Sequence, residues 1–86
     1  MKQFTYLIQN ELAMHFGPAG RLATVVRQYP DTTATIRMGE RVADLSRPMK
    51  VMGLGMRKGD RVTVSVDGPS EVELFDVLCD HFSTAM

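Results

Sequence analysis

The hydrophobic period of this 86-residue chain switches repeatedly between two values, and that switching constrains its fold more than any other feature. Alternation puts successive side chains on opposite faces of a strand. Recurrence every three to four residues builds an apolar stripe along a helix. Phe4, Tyr6 and Ile8 alternate with Gln3, Thr5 and Leu7, so Lys2–Ile8 reads as a strand and Gln9–Met14 as a loop. Ala19, Leu22, Ala23 and Val26 then repeat at helical spacing. Pro18 suits a first turn, so a helix is expected from Phe16 to Gln28, ended by Tyr29-Pro30-Asp31. Thr32–Arg37 is rich in β-branched residues and reads as a strand, with Met38-Gly39 as a tight connection to a short return strand at Glu40–Ala43. Ser46-Arg47-Pro48 looks like a helix start with Ser46 as N-cap, Met49, Val51, Met52 and Leu54 as its body, and Gly53 and Gly55 as its end. Arg57–Asp60 is a turn, and Val62, Val64 and Val66 mark a half-buried strand. Asp67-Gly68-Pro69 breaks it. Ser70-Glu71-Val72-Glu73 reads as a capping box, opening a last helix with Phe75, Leu78, Cys79 and Phe82 as its stripe. The order β-α-β-β-α-β-α in one small chain predicts an α+β open sandwich, with helices over one sheet face and water on the other.

Composition narrows the working conditions. Hydrophobic residues make up 44%, enough for one small core without metal or disulfide staples. The single cysteine, Cys79, forbids an internal disulfide and suits a reducing compartment. No apolar run approaches a membrane span, and MKQFTYLIQNEL lacks the apolar core of a signal peptide, so a cytoplasmic protein is expected. Zero net charge argues against a dedicated nucleic-acid binder. The charge is unevenly spread, however. All ten Lys and Arg fall in residues 1–61, with five acids, while residues 62–86 carry five acids and no Lys or Arg. Such an asymmetry can steer an acidic protein partner to one face, or it can be an ordinary solvated surface.

Few residues offer chemistry. There is no Cys–His spacing for zinc, GLGMRKGD has neither the spacing nor the preceding strand of a P-loop, and no aromatic platform for RNA stands on a strand. His15 remains. It reads either as a loop histidine or weak cap, or as a nucleophile beside a helix start. An imidazole nitrogen is a good nucleophile near neutral pH. Once phosphorylated it would meet the N–H groups and positive dipole end of the following helix. Gly17 permits close backbone approach, and Pro18 fixes the first turn. His81 and Cys79 read as a solvated surface residue and a buried inert thiol. Met49 reads as an adaptable surface side chain and Met52 as core.

The stretch MHFGPAGRL is similar to the active-site segment of the HPr family, the histidine-containing phosphocarriers of the bacterial sugar phosphotransferase system. ADLSRPMKVMGLGM resembles the family's second characteristic segment, and KGDRVTVSVDG its last strand and turn. The likeness runs over nearly the whole chain, as a single domain spanning 1–86. It implies an open-faced β-sandwich: a four-stranded antiparallel sheet with three helices on one face. It also implies that His15 accepts a phosphoryl group, at its pros nitrogen, from enzyme I charged by phosphoenolpyruvate, and passes it to the IIA component of a sugar permease. The chain would then be a monomeric protein substrate rather than an enzyme, with no cofactor, metal, nucleic acid or membrane. By position, the likeness places Phe16 and Gly17 at the phosphate, and Gly20, Thr24, Arg47, Pro48, Met49 and Met52 at the partner interface. An HPr kinase or a transcriptional regulator is a further partner it allows.

The chain departs from the family at two places. The family usually has an arginine two residues after the histidine, where this chain has Gly17. Its absence leaves open a regulatory binding protein with weakened or lost phosphotransfer. Arg21 lies one helical turn later on the same face, and helical side chains lean toward the N-terminus, so Arg21 reads either as a partial substitute for the missing charge or as an ordinary exposed arginine. Second, alignment puts Arg47 where many relatives carry a regulatory serine, with Ser46 one residue earlier. Ser46 therefore reads as an N-cap or as a phosphorylation site.

Overall fold

The computed structural model of the chain describes residues 1–9 and 16–85. Its elements, in order, are β1 (Lys2–Leu7), α1 (Phe16–Arg27), β2 (Thr33–Met38), β3 (Arg41–Asp44), α2 (Pro48–Met52), β4 (Arg61–Asp67) and α3 (Glu71–Ala85). The strands form one sheet in the order β1-β4-β2-β3, and every neighbouring pair is antiparallel. The last strand in sequence therefore lies inside the sheet.

Register explains why one face is dry. Val64 of β4 stands opposite Phe4 on one side and Ile36 on the other, and Val66 opposite Lys2 and Ala34. Val62, Val64, Val66, Ala34 and Ile36 are all buried. The alternate positions, including Gln3, Thr5, Thr63, Ser65 and Thr35, form the outer face, where Gln3 Nε2 donates to Ser65 Oγ at 3.0 Å.

The three helices cover the dry face. α3 presents Leu74, Leu78 and Phe82, four residues apart and fully buried. Phe82 meets Phe4 and Tyr6 edge-on, with centroids 5.4 and 5.5 Å apart, and Phe75 meets Phe4 at 5.5 Å. Pairs of this geometry contribute about 0.5–1.5 kcal/mol each beyond their burial. α1 buries Ala19, Leu22, Ala23 and Val26, the positions its periodicity predicts. α2 is only five residues long and buries Val51, with Leu45 before it and Leu54 and Met56 after it completing the core.

Several expectations are corrected by side-chain detail. The cap of α2 falls on Arg47, with φ −121° and ψ 90° and no side-chain cap bond, rather than on Ser46. Asp44 is the reason. Its Oδ1 accepts both the Ser46 N–H at 2.8 Å and the Ser46 hydroxyl at 2.7 Å, which holds Ser46 in a turn ahead of the helix. The end of α2 also differs: Gly53 stays right-handed at φ −64°, and Gly55 takes the left-handed turn at φ 70°. Met38 pairs with Arg41, so the β2–β3 loop is Gly39-Glu40, which moves both strands one residue along from their expected limits.

At α3 the box expected from Ser70 and Glu73 is not reciprocal. The Ser70 N–H donates to Thr32 Oγ1 at 2.9 Å, and it is Glu71 that reaches back to the Gly68 N–H, at 3.4 Å. Gly68 is packed so closely there that a Cβ would lie 2.7 Å from the Asp31 carbonyl oxygen. The α3 stripe centres on Leu74, Leu78 and Phe82. Leu74 was absent from the expected stripe, and Cys79 lies on its flank, half-buried rather than buried. Burial, then the nearby Asp76 and Asp80, pushes its thiol above the ordinary range, which disfavours the reactive thiolate. Among the described residues, no helix is long and apolar enough to cross a membrane.

Candidate functional site

α1 has two contrasting faces, and the site is built on the outer one. Its inner face is fixed by Pro18, Ala19, Leu22 and Val26 in the core. The same 3.6-residue period turns Arg21, Thr24 and Arg27 outward and leaves Gly17 and Gly20 half-buried. Small residues on that side let a groove form against α2. The groove has a volume of about 560 Å³, and its lining includes Gly17, Gly20, Arg21, Thr24, Arg27 and Pro48, with His81 from α3. The Thr24 hydroxyl donates to the Gly20 carbonyl at 3.0 Å, so it is engaged with its own helix.

Five of the residues singled out from sequence thus meet at one place: Gly17, Gly20, Arg21, Thr24 and Pro48. The others on α2 stand beside it. Arg47 and Lys50 are exposed, Met49 is 70% exposed, and Met52 is half-buried against the core. Phe16 opens α1. His15 lies outside the described residues, immediately before α1 in the chain. Ser46 is not part of the groove lining, but it is coupled to it, because its carbonyl accepts from Arg27 Nη2 at 2.7 Å.

Three residues of this region escaped the sequence reading. His81, expected to be solvated, is half-buried and lines the groove. Arg27 and Arg41 were not singled out, yet both donate to backbone carbonyls at the two ends of α2. Nothing in the sequence marks which flank of α3 faces α1, so His81 carried no signal. The arginines read only as charge.

The arrangement suits an anion or an acidic partner. Arg21, Arg27, Arg47 and Lys50 belong to α1 and α2 or the residue capping it, without an acidic residue in either helix. Two of the acids of α3 are directed elsewhere: Glu71 pairs with the Met1 ammonium at 3.0 Å, and Glu73 interacts with Tyr29. Among the described residues no three of His, Cys, Asp and Glu are grouped to hold a metal.

The chain is similar to known proteins in sequence and in fold. Residues 2–84 match a family model described as the PTS HPr component phosphorylation site. The chain is 32% identical over 79 residues to the phosphocarrier protein HPr of Lysinibacillus sphaericus, covering 91% of this chain and 88% of that protein. It is 29% identical over 79 residues to the phosphoryl donor subunit DhaM of a PEP-dependent dihydroxyacetone kinase from Providencia stuartii, covering 88% of this chain but only 16% of that subunit. In structure it is similar to HPr-C-His from Thermoanaerobacter tengcongensis, with a TM-score of 0.89 at 24% identity, over 99% of this chain and 94% of the other.

Proposed function

The chain belongs to the HPr family of phosphocarriers of the phosphotransferase system, and from that membership we propose that it carries a phosphoryl group on His15 between two protein partners. The observation that carries this reading is the basic groove of α1 and α2, whose Gly17 and Arg21 follow His15 by two and six residues. In the proposed step, enzyme I, charged by phosphoenolpyruvate, docks on this face. An imidazole nitrogen of His15 attacks the donor's phosphorus, the donor's bond to phosphorus breaks, and a new N–P bond forms. A second transfer to the IIA component of a sugar permease returns the imidazole. The protein contributes positioning and a fixed positive field rather than turnover of its own.

Gly20, Thr24, Arg47, Pro48, Met49 and Met52 form the docking surface. Phe16 and Gly17 at the start of α1, and Arg21 one turn further, hold the phosphoryl oxygens. The chain works as a single monomeric domain in the cytoplasm, with protein partners only and no cofactor. Ser46 is a secondary candidate for phosphorylation by a kinase. Its hydroxyl must first leave Asp44.

Gly17 supports a second reading, in which the chain binds such partners but transfers phosphate poorly, because the family's arginine is missing. One experiment decides between the two. Incubation with enzyme I and phosphoenolpyruvate should add one phosphate, removed by acid and stable to alkali, and His15→Ala should abolish it while the circular dichroism spectrum is unchanged. Partner binding without any phosphate adduct would select the second reading. Full labelling of the His15→Ala variant would move the acceptor to His81, the only other histidine.

A further inference from the structure

We propose that Arg41 is a positioning residue that sets the pose of α2 for partner docking. α2 cannot hold itself in place. It has five residues, far below the roughly 12–15 at which an isolated helix becomes marginal, and its N-cap makes no side-chain bond. Val51 is its one fully buried residue, and the side chains offered to a partner, Met49 above all, point away from the core.

Buried Leu45 and Leu54 anchor the chain on either side of α2, and two guanidinium groups bond the backbone at its ends. At the exit, Arg41 Nη2 donates to the Gly53 carbonyl at 2.8 Å and Nη1 to the Leu54 carbonyl at 3.2 Å. At the entrance, Arg27 Nη2 donates to the Ser46 carbonyl at 2.7 Å. The backbone of Arg41 is itself fixed, paired with Met38 at the start of β3. A planar fork spanning two successive carbonyls constrains direction as well as distance, which a lysine ammonium cannot reproduce. The edge of the sheet thereby dictates where α2 ends, and so where Pro48, Met49 and Met52 stand. Arg27 also lines the groove, so changing it would mix positioning with contact; Arg41 is not among the groove-lining residues.

The docking consequence rests on the reading that partners dock over α2. The bonding consequence does not. The test therefore has two arms on Arg41→Ala and Arg41→Lys. In the first, hydrogen exchange is followed at the amides of Gly53, Leu54 and Gly55, which bond back to Met49, Val51 and Met52. Both variants should exchange about tenfold faster there, with the α3 amides unchanged, as expected for the loss of hydrogen bonds to a charged donor. In the second, steady-state phosphorylation by enzyme I should show KM raised about three- to tenfold and kcat within about twofold, because docking rather than the chemical step is disturbed. Unchanged exchange in Arg41→Ala, or full rescue by Arg41→Lys, overturns the clamp. Faster exchange with an unchanged KM overturns the positioning role. If the unmodified chain takes no phosphate at all, the phosphocarrier reading falls, and the exchange arm still judges Arg41.

Discussion

The third helix and the second solve opposite problems. α3 has fifteen residues and lays three fully buried side chains on the sheet, backed by an aromatic cluster. α2 has five, buries one, and is tied down by polar bonds to its neighbouring carbonyls. Apolar burial is strong and indifferent to direction. Side-chain-to-carbonyl bonds are weak individually but fix orientation. The protein therefore places stability on one side of the molecule and an oriented, open surface on the other.

The sharpest way to break this division is to attack the stable side. Phe82→Ala should destabilise the protein by about 3–5 kcal/mol, the usual cost of emptying a buried aromatic site. Denaturant unfolding measures it. The fraction that remains folded at low temperature should still accept phosphate at the ordinary rate per folded molecule. A lost rate in folded protein would show that the two sides are not separable.

The converse change is smaller in energy and confined to function. Arg21→Ala should leave unfolding within about 0.5 kcal/mol of the unmodified chain, as for other exposed positions. Phosphotransfer should fall by about 1.5–3 kcal/mol, roughly tenfold to a hundredfold, if Arg21 bonds the phosphoryl oxygens. Adding Gly17→Arg to that variant should restore the rate. An undiminished rate in Arg21→Ala at low salt would leave the helix N–H groups as the holders of the anion.

The smallest effect sharpens the comparison at the start of α3. The Met1 ammonium lies 3.0 Å from Glu71 and 3.8 Å from Asp67. Bonding to that ammonium, then to the Gly68 N–H, holds the Glu71 carboxyl below its ordinary 4.5, and Glu71 in turn raises the amine above 8.0. The contribution of Glu71 is present above its unfolded pKa and disappears as pH falls through the lowered folded one. That of the amine is present below its own unfolded pKa and is lost as pH rises through the raised one. Stability from this pair should be full between pH 4.5 and 8.0. It should decline slightly outside that range, and Glu71→Gln should reduce that decline in the thermal midpoint on either side of it.

Where period carries the information, the sequence is transparent. The valines of β4, the stripe of α1 and the open-sandwich architecture follow from spacing alone. What fails to follow is set by side chains competing for one backbone group. Ser46 is a good cap in isolation, but nothing local says that Asp44 will take its hydroxyl first. Ser70 loses its expected partner to Thr32, thirty-eight residues away in sequence. The groove shows the same split. Gly17, Gly20, Arg21 and Thr24 share a helix face that period predicts, whereas His81 joins them only through packing of α3 against α1.

The interior position of β4 also dictates an order of events during synthesis. β2 and β3 are joined by two residues and can pair as soon as both have left the ribosome. β1 emerges first, yet its neighbour is β4, with Lys2 opposite Val66 and Leu7 opposite Arg61. The earliest strand must therefore wait, unpaired, for most of the chain to be translated. During that interval a segment of alternating aromatic and polar residues is exposed to any passing strand edge. Its alternation with Gln3 and Thr5, and the charge of Lys2, keep that waiting segment from being uniformly apolar. β4, the last of these strands to be made, pairs with both β1 and β2 and completes the sheet that α3 covers.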